Sequence, residues 1–199
     1  VCSSDLTTHA ENGDLADSLI AENRAQGNFA PKYHALSRPP ICESEATGRI
    51  ADLAHKGDHP LYIVHMTCED AVNRVRMAMA RNQKIHVETC VQYLLLDDSV
   101  YEEPNFGGAK YVMSPPLRAK EKQKELWRGL RSNDLQAVST DHCPFCMKTE
   151  KQLGRNDFSK IPNGAPGIET RMSLLYDGGV LQKNVTMNRY EIGRASCRE

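Results

Sequence analysis

Three residues of this sequence have the side chains of metal ligands and stand where strands are predicted to end. His9 lies in "THAENGD", His65 ends the run "LYIVH", and Asp141 ends the run "LQAVSTD". In a parallel α/β barrel the carboxyl ends of the strands converge on one mouth, so distant residues can share a metal ion. Imidazole nitrogens and a carboxylate suit Zn²⁺ or a similar divalent ion. The alternative for each histidine alone is a structural residue whose ring makes an ordinary hydrogen bond.

Shortly after Asp141, the segment Cys143-Pro144-Phe145-Cys146 offers a second possible site for chemistry. Two cysteines at this spacing form a redox pair or half of a zinc site. The sequence has no second Cys-x-x-Cys and no histidine pair at the spacing of a zinc finger. We therefore assign the chemistry to Asp141 and expect Phe145 and the two cysteines to pack beneath the loop, as small apolar side chains do. His142 has two interpretations: it orients Asp141, or it packs beside the site.

Segments with strand-like and helix-like patterns alternate along the chain and would position these residues. Short β-branched runs predict strands within Pro60–Thr67, Gln83–Cys90 and Leu135–Asp141. Apolar residues at three- and four-residue spacing predict helices in "PPICESEATGRIADLAHKGD", "CEDAVNRVRMAMARNQ" and "PPLRAKEKQKELWRGLRSND". The last of these offers Trp127 for burial, together with Leu117, Leu126 and Leu130. The alternation indicates an α/β domain with a parallel sheet.

Two long segments fit neither pattern, Val91–Pro116 and His142–Gly167. Each follows a predicted strand, which is where α/β barrels carry their active-site loops. Glu11 and Asp14 follow His9 closely and are either its hydrogen-bonding partners or exposed loop acids. The other histidines are expected to be surface or structural residues: His34, His55, His59 and His86.

The composition is that of an ordinary globular domain, with 199 residues and a formal net charge of −1. This charge argues against a nucleic-acid or anionic-membrane partner, and no apolar run approaches the roughly 18 residues of a membrane span. Seven scattered cysteines predict reduced thiols and a cytoplasmic protein. Both ends, Val1–Leu6 and Glu191–Glu199, resemble in-frame translations of DNA-sequencing adapters. We therefore assign the domain to residues 7–190 and expect a fragment.

Seven blocks of the sequence, in the same order, resemble the dihydropyrimidinases and D-hydantoinases, which are cyclic amidohydrolases of the metal-dependent amidohydrolase superfamily. The blocks are "HAENGD", "PKYHALSRPP", "LYIVHMTC", "ETCVQYLLLDDSVY", "GAKYVMSPPLR", "STDHCPF" and "KIPNGAPGIE". They extend over nearly all of the chain between its two ends. The family fold is a (β/α)8 TIM barrel, and the resemblance implies that this chain forms a partial barrel of about strands 5–8.

The resemblance also implies a site and a reaction. His9 and His65 match the two histidines of one Zn²⁺ ion in a binuclear centre, and Asp141 matches the aspartate that binds the other ion. Ser114 and Asn163 match positions whose backbone groups hold a small cyclic amide substrate. The implied reaction is metal-assisted opening of a dihydropyrimidine or hydantoin to an N-carbamoyl amino acid, with Asp141 delivering a proton to the leaving ring nitrogen. Full-length members of the family are commonly homotetramers.

Three parts of the family pattern have no match in this chain: the His-x-His pair of the first strand, the carboxylated lysine between the metals and a substrate-contacting tyrosine. The fragment alone is therefore expected to bind metal poorly and to be inactive, and half a barrel leaves two unpaired strand edges. Two alternatives stay open. One is a non-catalytic, dihydropyrimidinase-like scaffold, although such relatives lose their metal ligands. The other is a related cyclic amidohydrolase such as allantoinase or dihydroorotase.

Overall fold

A four-stranded parallel sheet organises the molecule, a computed structural model that describes residues 6–195 and their side chains as far as Glu191. The strands lie side by side in chain order, with Leu6 opposite Leu61, Leu61 opposite Ile85, and Glu88 opposite Ala137. Their bounds are β1 Leu6–Thr8, β2 Leu61–Ile63, β3 Ile85–Cys90 and β4 Ala137–Ser139. The predicted parallel sheet is confirmed. Of the two ends set aside above, residues 1–5 and 196–199 lie outside the described residues, whereas Leu6 already belongs to β1.

Eight α-helices connect and flank the strands between residues 6 and 195. They are α1 Gly13–Ala25, α2 Lys32–Leu36, α3 Pro40–Lys56, α4 Glu69–Ala80, α5 Val91–Leu95, α6 Gln123–Ser132, α7 Arg171–Leu175 and α8 Met187–Ala195. The three predicted helices correspond to α3, α4 and α6. Helix α3 begins at Pro40, whose missing N–H costs nothing in a first helical turn, and ends before Gly57. Within the part of the chain that the structure describes, every helix is too short or too polar to cross a membrane.

The two faces of the sheet have different environments, because alternate residues of a strand point to opposite sides. Leu61, Ile63 and Val87 are fully buried and join the core formed with the helices. On the other face, Glu88 accepts hydrogen bonds from the Tyr62 hydroxyl at 2.8 Å and from the Ser139 hydroxyl at 2.7 Å. One face is thus an apolar core, and the other carries a polar network across three strands. The predicted burial of Leu117, Leu126, Trp127 and Leu130 is confirmed.

The two long segments without a clear pattern are packed loops that contain short helical turns. The first contains α5 and the 3-10 turns Asp98–Glu102 and Gly107–Tyr111. The second contains the 3-10 turns Lys151–Gly154 and Phe158–Lys160. Such turns are too short to produce a helical repeat in the sequence, which is why the pattern predicts neither helix nor strand.

Candidate functional site

The structure brings two of the three predicted metal ligands into contact. His9 follows the end of β1, and His65 follows the end of the neighbouring parallel strand β2. Nδ1 of His9 therefore lies 2.8 Å from Nε2 of His65, with the rings nearly perpendicular at 71°. This contact is a hydrogen bond between two ring nitrogens, and the tautomers of the imidazoles decide which ring donates.

The donor set of this pair fits a zinc ion. Two imidazole nitrogens bound tetrahedrally at about 2.1 Å from one ion would be about 3.4 Å apart, so the rings need to separate by only roughly half an ångström. Burial, and next the neighbouring His9, lower the pKa of His65 to about 4, while the nearby Asp141 charge opposes the shift. His65 is therefore neutral at pH 7, which is the form that binds a metal.

A buried acid fixes the other side of the His9 ring. Glu11 Oε2 accepts from His9 Nε2 at 3.0 Å and pairs with Arg38 at 3.1 Å, and its side chain is only 2% exposed. Burial alone would raise the pKa of Glu11, but the His9 hydrogen bond and the Arg38 charge outweigh it and hold the pKa below its usual value. A carboxylate that accepts from the outer nitrogen of a ligating histidine orients the ring for its metal. Of the two possibilities left open for Glu11, the structure supports the hydrogen-bonding partner, whereas Asp14 is exposed.

Two of the predicted ligands have an uncommon backbone conformation. The φ angles of His65 and Asp141 are 44° and 47°, in the left-handed region that non-glycine residues rarely occupy. Each such residue costs about 1–3 kcal/mol and persists only where the surrounding structure enforces it. In both cases the residue lies two positions beyond the carboxyl end of a sheet strand, so each strained residue stands at the mouth of the sheet.

A buried ion pair supports the strand end that carries His65. The guanidinium of Arg118 pairs with Glu43 at 3.2 Å and donates from Nε to the Thr67 hydroxyl at 2.9 Å. It also donates to the backbone carbonyl of Arg38, whose side chain holds Glu11. Arg118 and Glu43 are 8% and 2% exposed, so this network ties β2, α3 and the loop after Ser114 together inside the protein.

Asp141 stands apart from the histidine pair. The described residues contain no group of three or more His, Cys, Asp or Glu side chains placed to hold a metal ion. Asp141 is exposed, and its charge is felt at His65 without a direct hydrogen bond between them in the described structure.

The loop after Asp141 corrects one expectation and adds a role. Cys143 and Cys146 are exposed free thiols, so the prediction that they pack beneath the loop is wrong. The start of this loop, residues 141–144, lies on the surface with Cys146, whereas Phe145 and Met147 are partly covered. His142 has a function that neither interpretation included, because its Nδ1 accepts from the backbone N–H of Gly167 at 3.1 Å and of Ile168 at 3.3 Å.

The two predicted substrate-binding residues lie on loops that contact each other. The backbone N–H of Gly164, next to Asn163, donates to the carbonyl of Val112 at 2.9 Å, two residues before Ser114. Gly164 has a φ of 148°, and an added Cβ would overlap the carbonyl oxygen of Cys143, so only glycine fits there. Asn163 is exposed, and the Ser114 hydroxyl is buried without a hydrogen-bond partner among the described residues.

Comparisons with known proteins show which family and fold the chain resembles. The chain is 50% identical over 187 residues to a D-hydantoinase of Geobacillus stearothermophilus, a match to 93% of this chain and 39% of that protein. It is 44% identical over 185 residues to a D-phenylhydantoinase of Escherichia coli O1:K1 / APEC, covering 92% and 40%. It superposes on a dihydropyrimidinase from Brevibacillus agri NCHU1002 with a TM-score of 0.94 and 47% identity, over 96% of this chain and 41% of that one. A scan against models of protein families gave no match.

The chain thus spans about two fifths of the length of the curated relatives it matches. The likeness confirms the predicted fold, a partial (β/α)8 amidohydrolase barrel. Its four parallel strands in chain order are what half of such a barrel contains.

Proposed function

This chain belongs to the D-hydantoinase and dihydropyrimidinase family, and on that premise we propose that the complete protein hydrolyses the ring amide of a hydantoin or a dihydropyrimidine. Water adds to the ring carbonyl, the ring C–N bond breaks, and an N-carbamoyl amino acid is released. The observation that carries this proposal is the 2.8 Å contact between His9 and His65 at the ends of adjacent parallel strands. A scaffold that had lost its metal ligands would have no reason to keep two imidazoles in this arrangement.

The metal that we propose is Zn²⁺ in a binuclear centre. His9 and His65 would hold one ion and Asp141 the other, and the family's His-x-His pair and carboxylated lysine would complete the ligand set. When bound, the metal polarises the ring carbonyl and lowers the pKa of water from about 15.7 toward about 7.

The residues of this chain contribute three functions to the proposed reaction. Glu11 orients the His9 ring through the 3.0 Å hydrogen bond to its Nε2. Asp141 accepts a proton from the attacking water and passes it to the leaving ring nitrogen, the role of a general base that becomes a general acid. The backbone groups at Ser114 and Asn163 hold the ring by its amide and orient its carbonyl.

We also propose that the complete protein is a cytoplasmic homotetramer that binds neither nucleic acid nor membranes. The near-neutral charge and the five free cysteines among the described residues support a reducing compartment and a small-molecule partner. Size-exclusion chromatography with light scattering on the complete protein tests the tetramer.

The proposed activity is tested in a hybrid enzyme, in which residues 7–190 of this chain replace the matching segment of the Geobacillus stearothermophilus D-hydantoinase. We expect the hybrid to bind two metal ions per chain and to open hydantoin, dihydrouracil or both. Asp141→Asn should lower kcat by about 10²–10⁴-fold, the usual contribution of a general acid–base group. Asp58→Asn is a matched control, because Asp58 is also exposed and has a similar φ of 53°, but precedes β2 at the opposite end of the sheet. A folded, metal-free and inactive hybrid would refute the hydrolase and favour the scaffold.

A further inference from the structure

Lys151 has one of the largest fully buried side chains of the described structure, and it lies behind the loops that carry Ser114 and Asn163. It is 2% exposed and begins a short 3-10 turn in the loop after Asp141. Its Nζ donates to the backbone carbonyls of Val112 at 3.0 Å, Pro162 at 2.6 Å and Gly164 at 2.9 Å. An ammonium group has three N–H donors, so all of them are used.

The charge of this lysine is balanced by carbonyl dipoles. No described carboxylate lies within ion-pair distance of Lys151, and its nearest further partner is the Phe145 ring, whose centroid is 5.5 Å from Nζ. Burial lowers the pKa of the ammonium to about 8, an effect that Cys143 opposes. Burying an ammonium group is costly unless hydrogen bonds replace those it makes with water. The three backbone carbonyls provide these hydrogen bonds to Lys151.

The positions of the three carbonyls connect Lys151 to the proposed substrate site. Pro162 and Gly164 are the two neighbours of Asn163, and Val112 lies two residues before Ser114. The two loops are also joined directly, because the Gly164 N–H donates to the Val112 carbonyl at 2.9 Å. One side chain therefore holds both loops at a fixed separation from behind, on the side away from solvent.

We propose that Lys151 is a positioning residue that sets the separation between the backbone groups of Ser114 and Asn163, and thereby how tightly the cyclic amide is held. This inference rests on the proposed function. Lys151 touches neither substrate nor metal in this assignment, since the described partners of its Nζ are the loop carbonyls and the Phe145 ring. Its loss should therefore weaken substrate binding without removing metal.

The experiment uses the hybrid enzyme with Lys151→Met, which keeps the length of the side chain and removes its charge and donors. The matched control is Lys148→Met, at an exposed lysine three residues earlier in the same loop. We expect Lys151→Met to raise KM for hydantoin or dihydrouracil at least tenfold, with kcat within about threefold and two metal ions still bound. The control should match the parent in all three quantities. Lys151→Gln keeps two N–H donors and should give a KM between those of the parent and Lys151→Met. If Lys151→Met does not fold, the same comparison is made with Lys151→Gln.

Two results would overturn the inference while leaving the proposed function intact. One is an unchanged KM in a folded, active Lys151 variant. The other is a parallel fall of kcat and metal content at constant KM, which would place Lys151 with the metal ligands. An inactive parent hybrid refutes the proposed function instead. Hydrogen exchange then tests whether Lys151 holds the two loops together. We expect the Gly164 amide to exchange at least tenfold faster in Lys151→Met than in Lys148→Met, and equal rates would show that Lys151 does not hold the loops.

Discussion

The candidate site has two halves that this chain builds to different degrees. The metal half consists of His9, His65 and Asp141, of which only the histidines touch each other. The loop half consists of Val112–Ser114 and Pro162–Gly164, which Lys151 joins through three hydrogen bonds. All hydrogen-bond partners of Lys151 in the loop half belong to this chain, whereas the metal centre that we propose would need ligands from outside it. The geometry of these loops is thus a local property of this segment, whereas the proposed metal centre would take ligands from the whole barrel.

Arg118 links the two halves, because it follows the Ser114 loop and donates to Thr67 beyond His65. Arg118→Met would leave the Glu43 carboxylate buried without its ion-pair partner. We expect the free energy of unfolding to fall by about 3–5 kcal/mol, the usual cost of an uncompensated buried charge. Urea denaturation followed by the fluorescence of Trp127, the one tryptophan, measures the change.

The control for this change is Arg128→Met. Arg128 is 48% exposed and pairs with Glu69, which is 34% exposed, and with Glu125, which is 13% exposed, so water solvates much of this network and the loss should cost about 1 kcal/mol. Equal losses in the two variants would show that the buried network does not connect the halves.

Acid should weaken the loop half through His34. Its Nε2 donates to the carbonyl of Met113 at 2.8 Å, and burial, followed by the nearby Arg38 charge, lowers its pKa from 6.5 to about 4. The unfolded chain therefore binds a proton that the folded chain excludes, and stability is lost as the pH falls from about 6.5 to about 4. A shift of this size corresponds to about 3 kcal/mol in the free energy of unfolding.

His34→Gln isolates this contribution, since an amide can donate to Met113 but does not titrate. Between pH 7 and pH 4 the unfolding free energy of the unmodified chain should fall by about 3 kcal/mol more than that of the variant. The pKa of His65, in the metal half, is also lowered to about 4, so part of the acid sensitivity should remain in the variant. Parallel pH profiles would exclude His34 as a source of acid instability.

The smallest expected effect concerns the support of the metal half. Glu11→Gln keeps the shape of the side chain but removes the charge that accepts from His9 and pairs with Arg38. Metal affinity of the hybrid enzyme should fall about 10–100-fold, as is typical when the partner of a ligating histidine is lost. Competition with a zinc-binding dye measures the affinity. Asp14→Asn, an exposed acid three residues away, should leave it unchanged, and an equal loss in both would assign the effect to net charge.

Much of the fold could be predicted from the sequence because its signals are local. Apolar spacing identified α3, α4 and α6, and the proline and glycine at the ends of α3 marked its bounds. Blocks such as "LYIVHMTC" and "STDHCPF" indicated the family and placed His65 and Asp141 at strand ends. Each of these inferences depends on residues close together in the chain.

What the sequence did not reveal depends on residues that only the folded chain brings together. Arg118 and Glu43 are separated by 75 positions, and nothing near either one in sequence indicates a buried pair. From the sequence, Glu11 is expected to be an exposed loop acid and Lys151 a surface lysine. In the structure, Glu11 is buried beside Arg38, and three backbone carbonyls surround the Lys151 ammonium. The sequence by itself determined the type of barrel and which side chains stand at its mouth. Only the tertiary structure decided which charges are buried there, because burial of a charge depends on partners from distant segments.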